Sequence, residues 1–95
     1  MKAGFTWDPS KAARNRRVHK ISFETASEVF DDPRHVVGDN YFIESDGEQR
    51  YQVIGMTRKL VLLLVVFVDR LGVIHLISAR KAVDYEESIY TDQFR

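Results

Sequence analysis

The sequence predicts an α+β fold: a helix pair followed by an antiparallel β-meander and a C-terminal helix. Three observations predict it. Helix-start signals stand at Asp8-Pro9 and at Ser22, strand-forming residues dominate from Arg50 to Ser78, and packing residues recur at helical spacing between Val83 and Phe94. With 95 residues, 44% of them apolar and 29% charged, the chain can build one modest core, expected as a single domain over residues 1–95.

Phe5-Thr6-Trp7 reads as a short strand or extended lead-in, since aromatic and β-branched residues suit a pleated surface. Asp8 is an N-cap with Pro9 at the first helical position, where the missing N–H costs nothing. The helix is expected to run to about Val18, with Lys11, Asn15 and His19 sharing a face at spacings of four. Ser22 caps a second helix, Phe23 to Phe30, whose Phe23, Ala26 and Phe30 are core candidates. Asp31-Asp32-Pro33 ends it, because a residue before proline avoids the α region.

His35–Asp39 and Tyr41–Glu44 are expected to form a hairpin around Gly38-Asp39-Asn40, with a further turn at Asp46-Gly47. Arg50 to Met56 is a strand with Tyr51 and Val53 on one face and Arg50, Gln52, Ile54 and Met56 on the other. Leu60 to Val68 is an unbroken aliphatic run, expected as a central strand covered on both faces. Asp69-Arg70-Leu71-Gly72 turns the chain back into Val73 to Ser78, with Val73, His75 and Ile77 on one side and Ile74, Leu76 and Ser78 on the other. In the closing helix, Ile89 and Tyr90 fall at packing spacing from Tyr85 and Glu86.

The chain has no cysteine, which excludes disulfides and thiolate metal sites. No signal-peptide core follows Met1, and the longest apolar run is far shorter than the roughly 20 residues a membrane helix needs. A cytoplasmic protein with no membrane partner is expected. The formal net charge is zero but blocked along the chain. Residues 1–20 hold six cations against one acid and residues 50–81 again six against one, while 21–49 hold one against eight and 82–95 one against four. The two basic blocks can meet as one polyanion-binding face, or simply solvate separate surfaces.

The strand end Ile77-Ser78-Ala79-Arg80-Lys81-Ala82 presents two adjacent cations where a strand is expected to hand over to a helix. It stands with Trp7-Asp8-x-x-Lys11, Asn15, His19-x-Ile21-Ser22-Phe23-Glu24-x-Ala26, Asp31-Asp32-Pro33, and Arg50-Tyr51 with Ile54-Gly55. In order and spacing, this set resembles the BrnT family of bacterial type II toxins, within the wider RelE-like ribonuclease fold. The resemblance implies a toxin that cleaves RNA and blocks translation. It also implies a BrnA-like antitoxin with a ribbon-helix-helix end, and operator DNA contacted only through the antitoxin complex. Members of the family usually carry a lysine before the histidine and a glycine after it; here Val18 and Lys20 stand in those places.

RNA cleavage without a metal or other cofactor needs a base for the ribose 2′-OH, cations for the charge on phosphate, and an acid for the leaving oxygen. His19 is the candidate for proton transfer, since an imidazole titrates near working pH; the alternative is a helix-end histidine interacting with terminal carbonyls. Arg80 is the candidate phosphate clamp, its planar fork matching phosphate oxygens; the alternative is a carboxylate partner such as Asp84. Arg50 is a candidate second cation or an edge charge. Lys11 is a candidate phosphate donor or a solvated lysine. Lys81, Arg14 and Arg17 are candidates for holding RNA backbone. Tyr51 is a candidate for stacking on an unpaired base, with strand packing as the alternative. Glu48 is a possible carboxylate base. No metal-ligand spacing, nucleophile elbow or phosphate-binding glycine loop is present.

Overall fold

The computed structural model describes residues 3–38, 41–43 and 47–95. Asp39, Asn40, Glu44 and Asp46, on which parts of the expected hairpin and turn fall, lie outside the described residues. The elements are β1 (Phe5–Trp7), α1 (Pro9–His19), α2 (Phe23–Ser27) continued by a 3₁₀ turn (Glu28–Asp31), β2 (Val36–Val37), β3 (Tyr41–Ile43), β4 (Glu48–Met56), β5 (Leu62–Arg70), β6 (Val73–Lys81) and α3 (Asp84–Asp92). The strands form a sheet in the order β1-β6-β5-β4-β2, with β3 also paired to β4. The α+β class and the closing helix are as the sequence predicts.

Three expectations are corrected. The first strand joins the sheet, and β1 runs parallel to β6 with Trp7 opposite Leu76, so the sheet is mixed rather than a pure meander. The expected hairpin at 35–44 does not form among the described residues: β2 and β3 each pair with β4 instead. Lastly, β6 does not alternate evenly. Val66 faces Ser78 but Phe67 faces Leu76, so Ile77 is an extra residue that resets the pleat. Leu76 and Ala79, three apart, are consequently both buried in the same core cluster.

That cluster lies between the sheet and α1–α2. Phe23, Ala26, Val29, Val53, Val65 and Leu76 are fully buried there, and Trp7 and Phe30 pack in edge-on against Phe23 and Phe67. Tyr51 stacks on Phe67, their ring centroids 5.6 Å apart, which is the strand-packing role open to it in the sequence. On the opposite face a smaller cluster of Ile54, Leu64 and Tyr90 seats α3. Ile89 joins it, whereas Tyr85 is exposed. The alternation within β4 and the double-sided burial of β5 follow the sequence reading. Among the described residues no helix is long and apolar enough to cross a membrane.

Asp32 joins α3 to the rest of the molecule. Its Oδ2 accepts the Tyr90 hydroxyl at 2.6 Å and the Met56 N–H at 2.9 Å, and its Oδ1 accepts the Arg34 N–H at 2.9 Å. Burial raises the Asp32 carboxyl, but these hydrogen bonds outweigh it and hold the group below its ordinary 3.8. Tyr90 is pushed up to about 12 by burial and by the carboxylate it donates to. A depressed carboxyl contributes stability above its unfolded value and loses it as pH falls through the folded one. A raised phenol contributes below its unfolded value of 10.0 and loses it as pH rises toward about 12. Stability should therefore fall at both extremes. Urea midpoints against pH are expected to show Asp32→Asn flattening the acid limb and Tyr90→Phe the alkaline limb; unchanged limbs would remove this joint as their source.

Candidate functional site

Helix α1 starts where the sequence places it: Asp8 Oδ1 accepts the Ser10 hydroxyl and the Ser10 N–H, each at 2.8 Å, and the hydroxyl first, then the N–H, hold the Asp8 carboxyl below its ordinary value. The chain leaves β1 after Trp7, so β1 covers only the first part of the edge of β6. Helix α1 runs along the remainder. Asn15, 5% exposed, makes the join. Its Oδ1 accepts the Ala79 N–H at 3.0 Å, and its Nδ2 donates to the Ala79 carbonyl and to the Ile21 carbonyl, each at 2.9 Å. A side-chain amide thus pairs with the sheet edge as another strand residue would.

With Asn15 turned inward, its helical neighbours stand over the seam. Lys11, Arg14, Val18 and His19 line a cavity of about 260 Å³ whose other wall is Ile77 and Ser78 of β6. His19 is the last residue of α1, and Lys20 closes the helix in the left-handed region at φ 62°. Arg16, Arg17 and His19 lie in the last turn, where cations complement the helix dipole. Chemically, the seam offers an exposed imidazole along with an ammonium and a guanidinium, a set able to bind an anion and move a proton beside it.

The other residues singled out in the sequence are not among those lining this cavity. Arg80 and Lys81 end β6 just before α3, the strand-to-helix handover expected from the sequence, and the Arg80 guanidinium lies on the α3 side. There Nη1 and Nη2 donate to the two carboxylate oxygens of Glu86, each at 2.8 Å. This hydrogen-bonded pair holds Glu86 below the usual carboxylate range and raises Arg80 further. The carboxylate partner is Glu86 rather than Asp84, because Arg80 sits in a strand and helical i,i+4 spacing does not apply to it. Glu86 Oε1 also accepts the Val83 N–H at 3.0 Å, so one carboxylate caps α3 and anchors it.

Arg50 lies two strands away from β6, half-buried in β4 opposite Tyr41. Strand spacing and rise put its backbone about 17 Å from that of Arg80. The expected gathering of Lys11, His19, Arg50 and Arg80 around one pocket is thus met only by the first two. Glu48 is occupied by Arg70, whose Nε and Nη2 each donate at 2.8 Å. His75 is half-buried, with Nδ1 2.9 Å from the Thr6 hydroxyl, and burial with the Arg70 charge holds it below the ordinary imidazole range, as befits a structural histidine. Arg17 and Lys81 are exposed. Among the described residues no three His, Cys, Asp or Glu side chains cluster as metal ligands would.

The sequence that builds this seam matches, over residues 7–86, a family of ribonuclease toxins from type II toxin-antitoxin systems. The family is described as "Ribonuclease toxin, BrnT, of type II toxin-antitoxin system". The chain belongs to the BrnT family. Its fold is similar to that of the crystal structure of the Brucella abortus ribonuclease toxin, BrnT, with a TM-score of 0.55 and 21% identity, covering 84% of this chain and 96% of that one. No curated protein gives a significant sequence match.

Proposed function

We propose that this chain is a metal-independent endoribonuclease that cleaves RNA and so blocks translation in the cytoplasm. In this reading a BrnA-like ribbon-helix-helix antitoxin neutralises it, and operator DNA is bound only by the toxin–antitoxin complex. The observation that carries the reading is His19 beside Lys11 and Arg14 on one solvent-open seam, in a chain of a ribonuclease-toxin family. His19 would take the 2′-OH proton or return one to the leaving 5′-oxygen, while Lys11 and Arg14 hold the charge gathering on phosphate. Purified chain should cleave RNA in excess EDTA, and His19→Gln should lose about 10²–10⁴-fold in rate while remaining folded. Cleavage abolished by EDTA would sink metal independence, and full cleavage by His19→Gln would remove the imidazole.

Arg80 can clamp a phosphate only by exchanging it for Glu86. If it does, Arg80→Ala loses far more kcat/KM than Glu86→Gln, which frees the guanidinium. Equal losses of unfolding midpoint in both variants, with no extra loss of rate in Arg80→Ala, would make the pair a clasp for α3 and nothing more. Arg50, Arg17 and Lys81 enter as backbone-holding cations, and Tyr51 as a base platform, testable by the same assay.

The bidentate hold of Glu86 on Arg80 also favours a second reading, in which the chain keeps the antitoxin-binding fold without catalysis. Expression without a partner separates the two. Growth arrest with loss of intact mRNA supports the nuclease, and unaffected growth supports the binder.

A further inference from the structure

On the other side of α1, the basic blocks of the sequence do meet. Arg16 and Lys20 come from α1 and its cap, Arg58 and Lys59 from the turn between β4 and β5, and Lys81 from the end of β6. All five line one cavity of about 480 Å³, and all five are exposed. Among the described residues, Glu28 is the one carboxylate in the lining; it accepts the Arg58 backbone N–H at 3.1 Å. Asp31 approaches the Arg58 guanidinium at 3.8 Å, with both side chains more than half exposed, a pair too loose and too solvated to hold the arginine. Lys20 Nζ donates to the Arg17 carbonyl at 3.0 Å and has two further donors. The floor is apolar, from Ile21, Val61 and Leu63.

We infer that this cavity is a second anion site that holds phosphates of the RNA strand lying beyond the His19 seam. The inference rests on the ribonuclease reading. In a chain of zero formal net charge, five cations against one acid around a single hollow mark where a polyanion is favoured. Position identifies which polyanion. The two cavities flank the same helix and both abut β6, one at Ile77 and Ser78 and the other at Lys81. A helix is about 10 Å across, so a strand passing the last turn of α1 reaches both. The apolar floor then meets sugar or base while the rim meets phosphate.

The test is binding of a fluorescently labelled single-stranded RNA, followed by anisotropy across a salt series. It compares the full chain with its Arg58→Gln/Lys59→Gln/Lys81→Gln variant. Each neutralised phosphate contributes roughly 0.7 to the salt slope for single strands, so the variant's slope should fall by about 2. Arg34→Gln/Arg95→Gln, on the α3 side, removes two cations outside the hollow and should leave the slope near its starting value. An unchanged slope in the triple variant, with RNA still cleaved by the parent, overturns this site and leaves the nuclease reading standing. A reduced slope in a chain that cleaves nothing does the reverse. Lost affinity for a glutamate-rich peptide, with RNA binding intact, overturns the inference and makes the hollow a protein-docking surface.

Discussion

Replacing Asn15 with Ala should destabilise the protein by about 3 kcal/mol and detach α1 from the sheet. Three buried backbone groups, the N–H and C=O of Ala79 and the C=O of Ile21, would lose their partner at once. An unsatisfied buried group costs about 1–3 kcal/mol, and water entering from the adjacent cavity recovers part of the sum. Against a typical stability of about 5–15 kcal/mol the loss is large, and a domain of this size should melt roughly 10–20 °C lower. Because Lys11, Arg14 and His19 ride on the same helix, RNA cleavage should fall with it. Asn15→Asp is the sharper probe. The carboxylate can still accept from Ala79, but its second oxygen faces two carbonyls, so the variant should be least stable at neutral pH and regain stability on acidification. A midpoint that does not move with pH would show that the amide donors contribute nothing.

Gly55→Ala should cost about 2–3 kcal/mol for a different reason. A β-carbon there would sit 2.8 Å from Val29 Cβ, 2.9 Å from its carbonyl oxygen and 3.2 Å from its Cα. None of these is the end of a flexible side chain. The 3₁₀ turn would have to lift off β4, pulling Asp32 from the neighbouring Met56 N–H. Gly38→Ala is the control: its nearest neighbours are at 3.6 Å or more, so ordinary contact results. Urea unfolding should show a lowered midpoint with an unchanged slope for Gly55→Ala and little change for Gly38→Ala. Comparable midpoints in the two variants would refute the close approach.

Local signals made much of this fold legible. Asp8-Pro9 announces α1, the 50–56 alternation sorts its side chains correctly, and the aliphatic run after Leu60 lies in the centre of the sheet, its strand shifted to Leu62–Arg70. What the sequence hides is non-local or depends on one displaced residue. The pairing of Phe5 with Ile74 spans almost the whole chain, and a parallel pair needs no connecting turn that a sequence could advertise. The extra residue at Ile77 has no composition of its own, yet it decides which way Ser78, Ala79 and Arg80 point. Arg80 consequently meets a carboxylate on α3 rather than the imidazole. The basic blocks were visible as blocks, but only the turn at Arg58-Lys59 and the left-handed cap at Lys20 bring them around one hollow.

The parallel pairing of first strand with last also bears on when the molecule comes alive. Trp7 has no strand partner until Leu76 exists, and Asn15 has no edge to grip until Ala79 does. Chains emerge from the ribosome amino end first, so neither hollow beside α1 can close before β6 has emerged. A chain of a ribonuclease-toxin family is thus unassembled until its last strand is out.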